Sequence, residues 1–187
     1  MPAILIGGEG LMDAQLQELL DKQAIAELLY AYAEGIDRRD PELLQAVFTE
    51  NCQLHYGAYD CPARLLIKSW RADAPPAFLM THHLYGNIVV RFHDAARARS
   101  ITYFFAQHRA IHDGHVMDEM VRGRYLDRLI KQDGRWRFAE RTIVFDWSKI
   151  APADGTNWWD ASGRAAKVGA HGRADPAFGF LDAGAQW

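Results

Sequence analysis

The chain has 187 residues, with 21 basic and 24 acidic side chains and a formal net charge of −3. Apolar residues make up 49% of it and charged residues 24%, a composition that excludes global disorder. This near-neutral balance provides no electrostatic attraction for nucleic acid or for an anionic membrane, so we expect neither as a partner. The length suits one core domain of ordinary size.

Cys52 and Cys61 are the two cysteines, too few for a disulfide framework and too few to form a structural zinc site alone. No apolar run approaches the ~20 residues that a membrane-spanning helix needs. The opening MPAILIGGEG lacks the basic and long apolar regions of an export signal. We therefore expect a cytoplasmic protein.

The first half of the chain carries helical patterns. Apolar residues recur every three or four positions over residues 12–37, which predicts a long amphipathic helix. Asp40 followed by Pro41 is typical of a helix start and predicts a short helix over residues 41–48. We then expect a strand over residues 52–56 and a third helix over residues 60–70, with Asp60 as its N-cap.

The second half changes to strand patterns rich in β-branched and aromatic residues, over residues 84–92, 100–111, 116–132 and 136–147. Asp113-Gly114 and Asp133-Gly134 separate the later strands, and Asp-Gly between strand-like runs is the strongest short hairpin signal. Helices followed by strands predict an α+β fold, in which the N-terminal helices pack on a curved antiparallel sheet.

The last 40 or so residues show little periodicity, so we divide the chain into a core domain at 1–147 and a C-terminal extension at 148–187. Two interpretations of the extension stay open. It packs on the surface or on a neighbouring subunit, or it forms a lid in which Trp158 and Trp159 stack on an aromatic ligand.

Asp37 and the pair His82-His83 are the first candidates for chemistry. A carboxylate at the C-terminus of a helix opposes the helix dipole, so Asp37 is held there against local preference. A histidine oriented by a carboxylate makes a general base. The alternatives are a cap for Asp37 and solvated histidines at a strand entry. A metal site is a third interpretation, weakened by the absence of HxH or HExxH spacing.

Polar side chains within the predicted strands are further candidates. Arg141 lies in the apolar run FAERTIVFDW, where a buried guanidinium needs a polar ligand or a carboxylate such as Glu140 or Asp127. No dinucleotide fingerprint, phosphate-binding loop or GxSxG motif is present.

Three runs carry a family resemblance: KQAIAELLYAYAEGIDRRDPELLQAVFTENCQLHYG, THHLYGNIVV and YLDRLIKQDGRWRFAERTIVFDW. Together they cover about residues 20–147 and resemble SnoaL-like proteins of the nuclear transport factor 2-like superfamily. The resemblance implies a cone-shaped α+β barrel with a deep apolar pocket. It also implies cofactor-free lyase chemistry, as in hexachlorocyclohexane dehydrochlorinase, scytalone dehydratase and bile-acid dehydratase, in proteins that are often trimeric.

The same resemblance implies roles for individual residues. Asp37 in GID corresponds to the family's helix-end aspartate, and His83 in HLYGN to its catalytic histidine. Tyr32 corresponds to a position where related enzymes carry a polarising Tyr or Lys. Arg141 corresponds to an arginine of the dehydrochlorinase. Substrate contacts are expected from these further side chains: His55, Tyr56, Tyr103, His108, Trp147 and Trp158.

The function expected from the sequence is therefore a cofactor-independent and metal-independent lyase. It would act through Asp37 and His83 on a small hydrophobic, aromatic substrate by dehydration, elimination or deformylation, for example of a lignin-derived diarylpropane diol. Two alternatives stay open: a non-catalytic ligand-binding or assembly module of the same fold, and the small subunit of a ring-hydroxylating dioxygenase. We expect a homo-oligomer, with a trimer favoured over a dimer.

Overall fold

The computed structural model describes residues 6–70, 78–153 and 166–181. The helices are α1 (Ile6–Arg38), α2 (Pro41–Val47) and α3 (Ala63–Ser69), and a short 3-10 helix covers Gly172–Ala174. The strands are β1 (Phe48–Tyr56), β2 (Tyr59–Pro62), β3 (Phe78–Asp94), β4 (Arg97–His112), β5 (His115–Gln132) and β6 (Arg135–Pro152). Helices thus precede the long strands, and the expected α+β class is confirmed.

The six strands form one curved sheet in the order β2-β1-β6-β5-β4-β3. β3 to β6 form an antiparallel meander, whereas β1 pairs with β6 in parallel. The expectation of a wholly antiparallel sheet is therefore wrong at this one pairing. The sheet is not closed, because β2 and β3 do not pair with each other, and the helices pack on its concave side.

Both Asp-Gly turns form as predicted. Asp113 and Gly114 have φ values of 49° and 82°, and Asp133 and Gly134 have 50° and 74°. Positive φ at both central residues is the signature of the tight turn that matches the twist of antiparallel strands. The first of these turns sets the register of β4 against β5, starting from His112 opposite His115.

Two element boundaries differ from the sequence-based expectations. The helix expected over residues 60–70 begins at Ala63, because Tyr59–Pro62 pairs with β1 as strand β2. Asp60 lies opposite His55 in that ladder and is not a helix cap. At the other end, β6 continues past residue 147 to Pro152 and stays paired with β5.

The core lies between the inner face of α1 and the concave face of the sheet. Ile25 and Leu29 of α1 are fully buried, as is Phe138 of β6. The two helices α1 and α2 approach closely at Gly35, where a Cβ atom would lie 2.8 Å from Cδ2 of Leu44. This close packing places the C-terminal end of α1 directly over β3, where the candidate site lies.

The C-terminal segment 166–181 returns to the end of α1. Nη1 of Arg38 donates hydrogen bonds to the carbonyl of Ala170 and to Oδ2 of Asp175, both at 3.0 Å. Asp175 also accepts from the backbone N–H groups of Ala170 and Ala177, both at 2.8 Å. The lid interpretation cannot be placed, because Trp158 and Trp159 lie outside the described residues. No helix in the described ranges is long and apolar enough to cross a membrane.

Candidate active site

Asp37 and His83 meet on the inner side of the sheet. Asp37 lies in the last turn of α1, and His83 lies near the start of β3. Successive strand residues point to opposite faces, so His82 is exposed while the side chain of His83 is only 8% exposed and that of Asp37 only 9%. The structure therefore brings together the two residues that the sequence analysis paired.

His83 contacts both carboxylate oxygens of Asp37. Nδ1 of its ring lies 2.7 Å from Oδ1, and its backbone N–H donates to Oδ2 at 2.8 Å. These two bonds restrain both the position of the ring and its rotation. A bidentate arrangement of this kind holds a histidine in one orientation before any ligand binds.

The charge state of Asp37 determines the tautomer of His83. Burial alone would raise the pKa of this carboxyl, but the hydrogen bonds from His83 outweigh burial and hold the pKa below its ordinary value. The group is thus a carboxylate at neutral pH and accepts the proton on Nδ1 of His83. In a neutral imidazole with its proton on Nδ1, Nε2 carries the lone pair and is the nitrogen that can accept a proton.

Four tyrosines lie deeper in the interior, of which Tyr32 and Tyr125 are buried and Tyr56 and Tyr85 are partly buried. The hydroxyls of Tyr32 and Tyr56 are 2.9 Å apart, and the rings of Tyr85 and Tyr125 are 5.7 Å apart. Burial raises the pKa of each of the four phenols, so they stay protonated at neutral pH. Within the described part of the chain, the buried hydroxyl of Tyr85 has no hydrogen-bond partner.

Arg141 lies beneath the tyrosines and is paired internally. Its side chain is fully buried, and Nε and Nη2 donate to Asp127 at 2.6 and 2.9 Å. Its guanidinium also lies 4.3 Å from the ring centre of Tyr32 and 3.9 Å from that of Phe138. Burial opposes the charged form, but Asp127 keeps the pKa of Arg141 above its ordinary range. Of the two partners weighed from the sequence, Asp127 is the one that the structure supplies.

His108 lies beside His83 on the side away from the tyrosines. The two ring centres are 5.5 Å apart, and His108 also packs against Phe78 at 4.5 Å. Nδ1 of His108 is 3.6 Å from Oε2 of Glu119, whose other oxygen is hydrogen-bonded to Nε2 of His112. Burial lowers the pKa of His108, the neighbouring His83 lowers it further, and Glu119 opposes both.

The sequence analysis did not single out Glu119 or His112. A signal for Glu119 was nevertheless present, because the Asp113-Gly114 turn fixes the register of β4 against β5 and places Glu119 directly opposite His108. Counting outward from the turn would have found this pair.

Three of the side chains expected to contact the substrate are exposed, and that role stays a prediction for them. The side chain of His55 is 42% exposed and bonds Asp60 at 3.2 Å. Tyr103 is 46% exposed on the outer face of β4, and Trp147 is 47% exposed on the outer face of β6. Trp158 belongs to a range that the structure does not describe. Tyr56 and His108 do lie on the inner face.

The metal interpretation gains no support from the side-chain arrangement. In residues 6–70, 78–153 and 166–181, no three His, Cys, Asp or Glu side chains are arranged to hold a metal ion. The site consists of an oriented imidazole, a second imidazole and phenolic hydroxyls, which together can move protons and stabilise negative charge on oxygen.

Solved structures with the same fold include several enzymes. A hexachlorocyclohexane dehydrochlorinase, LinA type 2, superposes with a TM-score of 0.68 at 14% identity, over 76% of this chain and 97% of that one. A scytalone dehydratase-like protein from Novosphingobium aromaticivorans gives 0.64 at 22% identity, over 76% and 99%. A protein of unknown function from Mycobacterium tuberculosis gives 0.59 at 27% identity, over 75% and 78%.

Sequence comparison identifies the family. No functionally curated protein matches the chain. The family model described as a SnoaL-like domain matches residues 17–142, which include both Asp37 and His83. The match covers well over half of the sequence, and the structural neighbours have the cone fold of the nuclear transport factor 2-like superfamily. The chain therefore belongs to the SnoaL-like domain family.

Proposed function

We propose that the protein is a cofactor-independent lyase in which His83 is the general base. The observation that carries this proposal is the buried, doubly hydrogen-bonded contact between Asp37 and His83. The carboxylate keeps the proton on Nδ1, so Nε2 can take a proton from a carbon or hydroxyl of the substrate. Asp37 then stabilises the imidazolium that forms.

The tyrosines are suited to the opposite charge. As His83 removes a proton, negative charge develops on the leaving group or on an oxygen of the substrate. Buried neutral phenols such as Tyr32, Tyr56 and Tyr85 can donate hydrogen bonds to that charge in surroundings that exclude water. Nε and Nη2 of Arg141 bind Asp127, but its buried Nη1 has no hydrogen-bond partner in the described part of the chain and is one more donor for that charge.

The substrate class follows from the same surroundings. Aromatic rings line the interior below His83, with Phe104 stacked on Tyr125 at 4.5 Å. We propose a small hydrophobic, aromatic substrate that carries a leaving group such as hydroxyl or halide. Dehydration, dehydrohalogenation, and deformylation of an aryl 1,3-diol each include a proton removal that His83 can perform. The SnoaL-like fold and its dehydratase and dehydrochlorinase neighbours are compatible with each of them.

The proposal is tested by turnover without added cofactor or metal. Purified protein is incubated with benzylic alcohols, aryl 1,3-diols and halogenated cycloalkanes, and products are followed by ultraviolet absorbance, formaldehyde release and halide release. We expect one class to react, and His83→Ala to lower its rate by about 10²–10⁴-fold. His82→Ala is the matched control, since it removes the adjacent exposed imidazole, and it should leave the rate unchanged.

Two results would contradict the proposal. One is binding of a panel compound by the wild-type protein without turnover, which would favour a ligand-binding module. The other is full activity in His83→Ala.

We also propose a homo-oligomer, with a trimer favoured, because apolar side chains including Leu84, Tyr103 and Trp147 lie exposed on the outer face of the sheet. Sedimentation velocity at micromolar concentration measures the state directly.

A further inference from the structure

His83 is poorly placed to exchange protons with solvent by itself. Its side chain is 8% exposed and lies beneath the end of α1. A base that has taken a proton from a substrate must lose that proton before the next turnover, to the departing hydroxide in a dehydration or to solvent when the leaving group is a halide. The imidazole of His108 lies beside that of His83, and the carboxylate of Glu119 lies beyond His108, nearer the surface.

Polar groups lie one after another from the interior towards solvent. His108 follows His83 at a ring separation of 5.5 Å, Glu119 follows His108 at 3.6 Å, and His112 is hydrogen-bonded to the far oxygen of Glu119. The exposed fraction of the side chains rises along the series, from 8% at His83 through 17% and 16% to 43% at His112. The last member is thus open to water.

Strand register explains why these side chains share one face. Thr81, His108 and Glu119 lie opposite one another across β3, β4 and β5, one layer beyond His83. His112 lies further along β4 than His108 by an even number of residues, so the two side chains share a face of that strand. The neighbouring Asp118 points the other way and is paired with Arg109 at 2.7 Å on the opposite side of the sheet.

We propose that His108, Glu119 and His112 form the proton route between His83 and solvent. The inference rests on the proposed function, because it needs His83 to act as a base. In each turnover the proton on Nε2 of His83 passes to a ring nitrogen of His108, directly or through one water molecule. His108 releases a proton from Nδ1 to Glu119, Glu119 releases one to Nε2 of His112, and His112 releases one to water.

The balance of this transfer is one proton in and one proton out. At each step one N–H or O–H bond breaks and one forms, and no electrons are exchanged. His83 returns to the neutral form needed for the next cycle. A departing halide leaves as the anion while the proton follows the route, whereas a departing hydroxide takes one proton with it and leaves as water. The charged groups that face His108 are Asp37 across His83 and Glu119 on β5, and the pKa of His108, lowered by burial, favours onward release.

The first test needs no substrate. The ring signals of His83, His108 and His112 are followed by nuclear magnetic resonance between pH 5 and 9 in the wild-type protein and in Glu119→Gln. We expect the variant to lower the pKa of His108 further, because Glu119 raises it in the wild-type protein. Asp118→Asn is the matched control on the opposite face and should leave the pKa of His108 unchanged. Unaltered titration of His108 in Glu119→Gln would overturn the route.

The second test uses turnover at low buffer concentration. We expect Glu119→Gln and His112→Gln to lower kcat by tenfold or more in about 2 mM buffer, with kcat restored by added imidazole, as for any rate limited by proton release. Asp118→Asn should show the wild-type rate at every buffer concentration. A kcat of both variants that equals wild type in dilute buffer would overturn the route while leaving the role of His83 intact. Inactivity of the wild-type protein itself would count against the proposed function. The nuclear magnetic resonance titration would then test by itself whether Glu119 and His108 interact.

Discussion

The buried pair of Arg141 and Asp127 gives the sharpest prediction of stability. Both side chains are fully buried, and two hydrogen bonds of 2.6 and 2.9 Å join them. Asp127→Asn removes the negative charge and leaves the guanidinium charged in an interior that cannot hydrate it. Removing one partner of such a pair typically costs ~3–5 kcal/mol. Charge-assisted hydrogen bonds of about 1.5–3 kcal/mol each give a similar total.

We therefore expect Asp127→Asn to lower the free energy of unfolding by about 3 kcal/mol or more, which for a chain of this size lowers Tm by roughly 6–12 °C. Urea unfolding followed by tryptophan fluorescence measures it, with Glu140→Gln as the control. Glu140 is 35% exposed and lies 3.6 Å from Arg128. Exposed pairs of this kind contribute at most about 1 kcal/mol.

A double variant separates charge from packing. Asp127→Leu with Arg141→Met removes both charges and keeps apolar volume, and such replacements are often neutral or stabilising. We expect the double variant to be more stable than Asp127→Asn. The reasoning would be refuted if Asp127→Asn cost less than about 1 kcal/mol, or if the double variant were the less stable of the two.

Two other predictions concern acid stability and the C-terminal segment. Burial lowers the pKa of His108 in the folded state, so at mildly acidic pH the unfolded chain binds more protons than the folded one. The free energy of unfolding that depends on neutral His108 is therefore fully present above pH ~6.5 and is lost as the pH falls through the folded-state pKa. Urea titrations at pH 7.5 and 5.5 should show this loss in the wild-type protein and a smaller one in His108→Gln, and equal losses would contradict it. Asp175→Asn weakens the contacts to Arg38 and Ala170, so limited proteolysis should cut the segment 166–181 faster than in the wild-type protein. The control is Asp60→Asn, which alters an exposed pair and should leave the rate of cutting unchanged.

Local signals predicted the helices and the hairpins, and the family resemblance selected Asp37 and His83. The faces on which the side chains of β6 lie could not be predicted in this way. Simple alternation from Phe138 puts Arg141 on the outer face. A bulge opposite Arg128 and Leu129 inserts one residue and turns Arg141 inward. A second bulge, opposite Arg122 and Gly123, reverses the pattern again and turns Trp147 outward. Bulges arise from pairing with a neighbouring strand, so a single strand's sequence does not reveal them.

The parallel pairing of β1 with β6 was unpredictable for a related reason. It joins segments far apart in the chain, with Leu54 opposite Arg141, and no turn motif connects them. Hairpins are set by the residues between their strands, but a long-range pairing depends on the whole fold. The short strand β2 could not be predicted for the same reason. Its residues have the pattern of a helix start, and they form a strand only because they pair with β1.

The parallel contact between β1 and β6 also has a consequence for how the chain matures during synthesis. The helices and β1 leave the ribosome early, yet Phe48 pairs with Phe138 near the other end of the core. Until β6 emerges, one long edge of β1 has no strand to bind, and the side chains of α1 that pack on β6 lack their partner. Such a nascent chain exposes aggregation-prone surface for a large part of translation, and a chaperone that shields it would be most valuable in that interval.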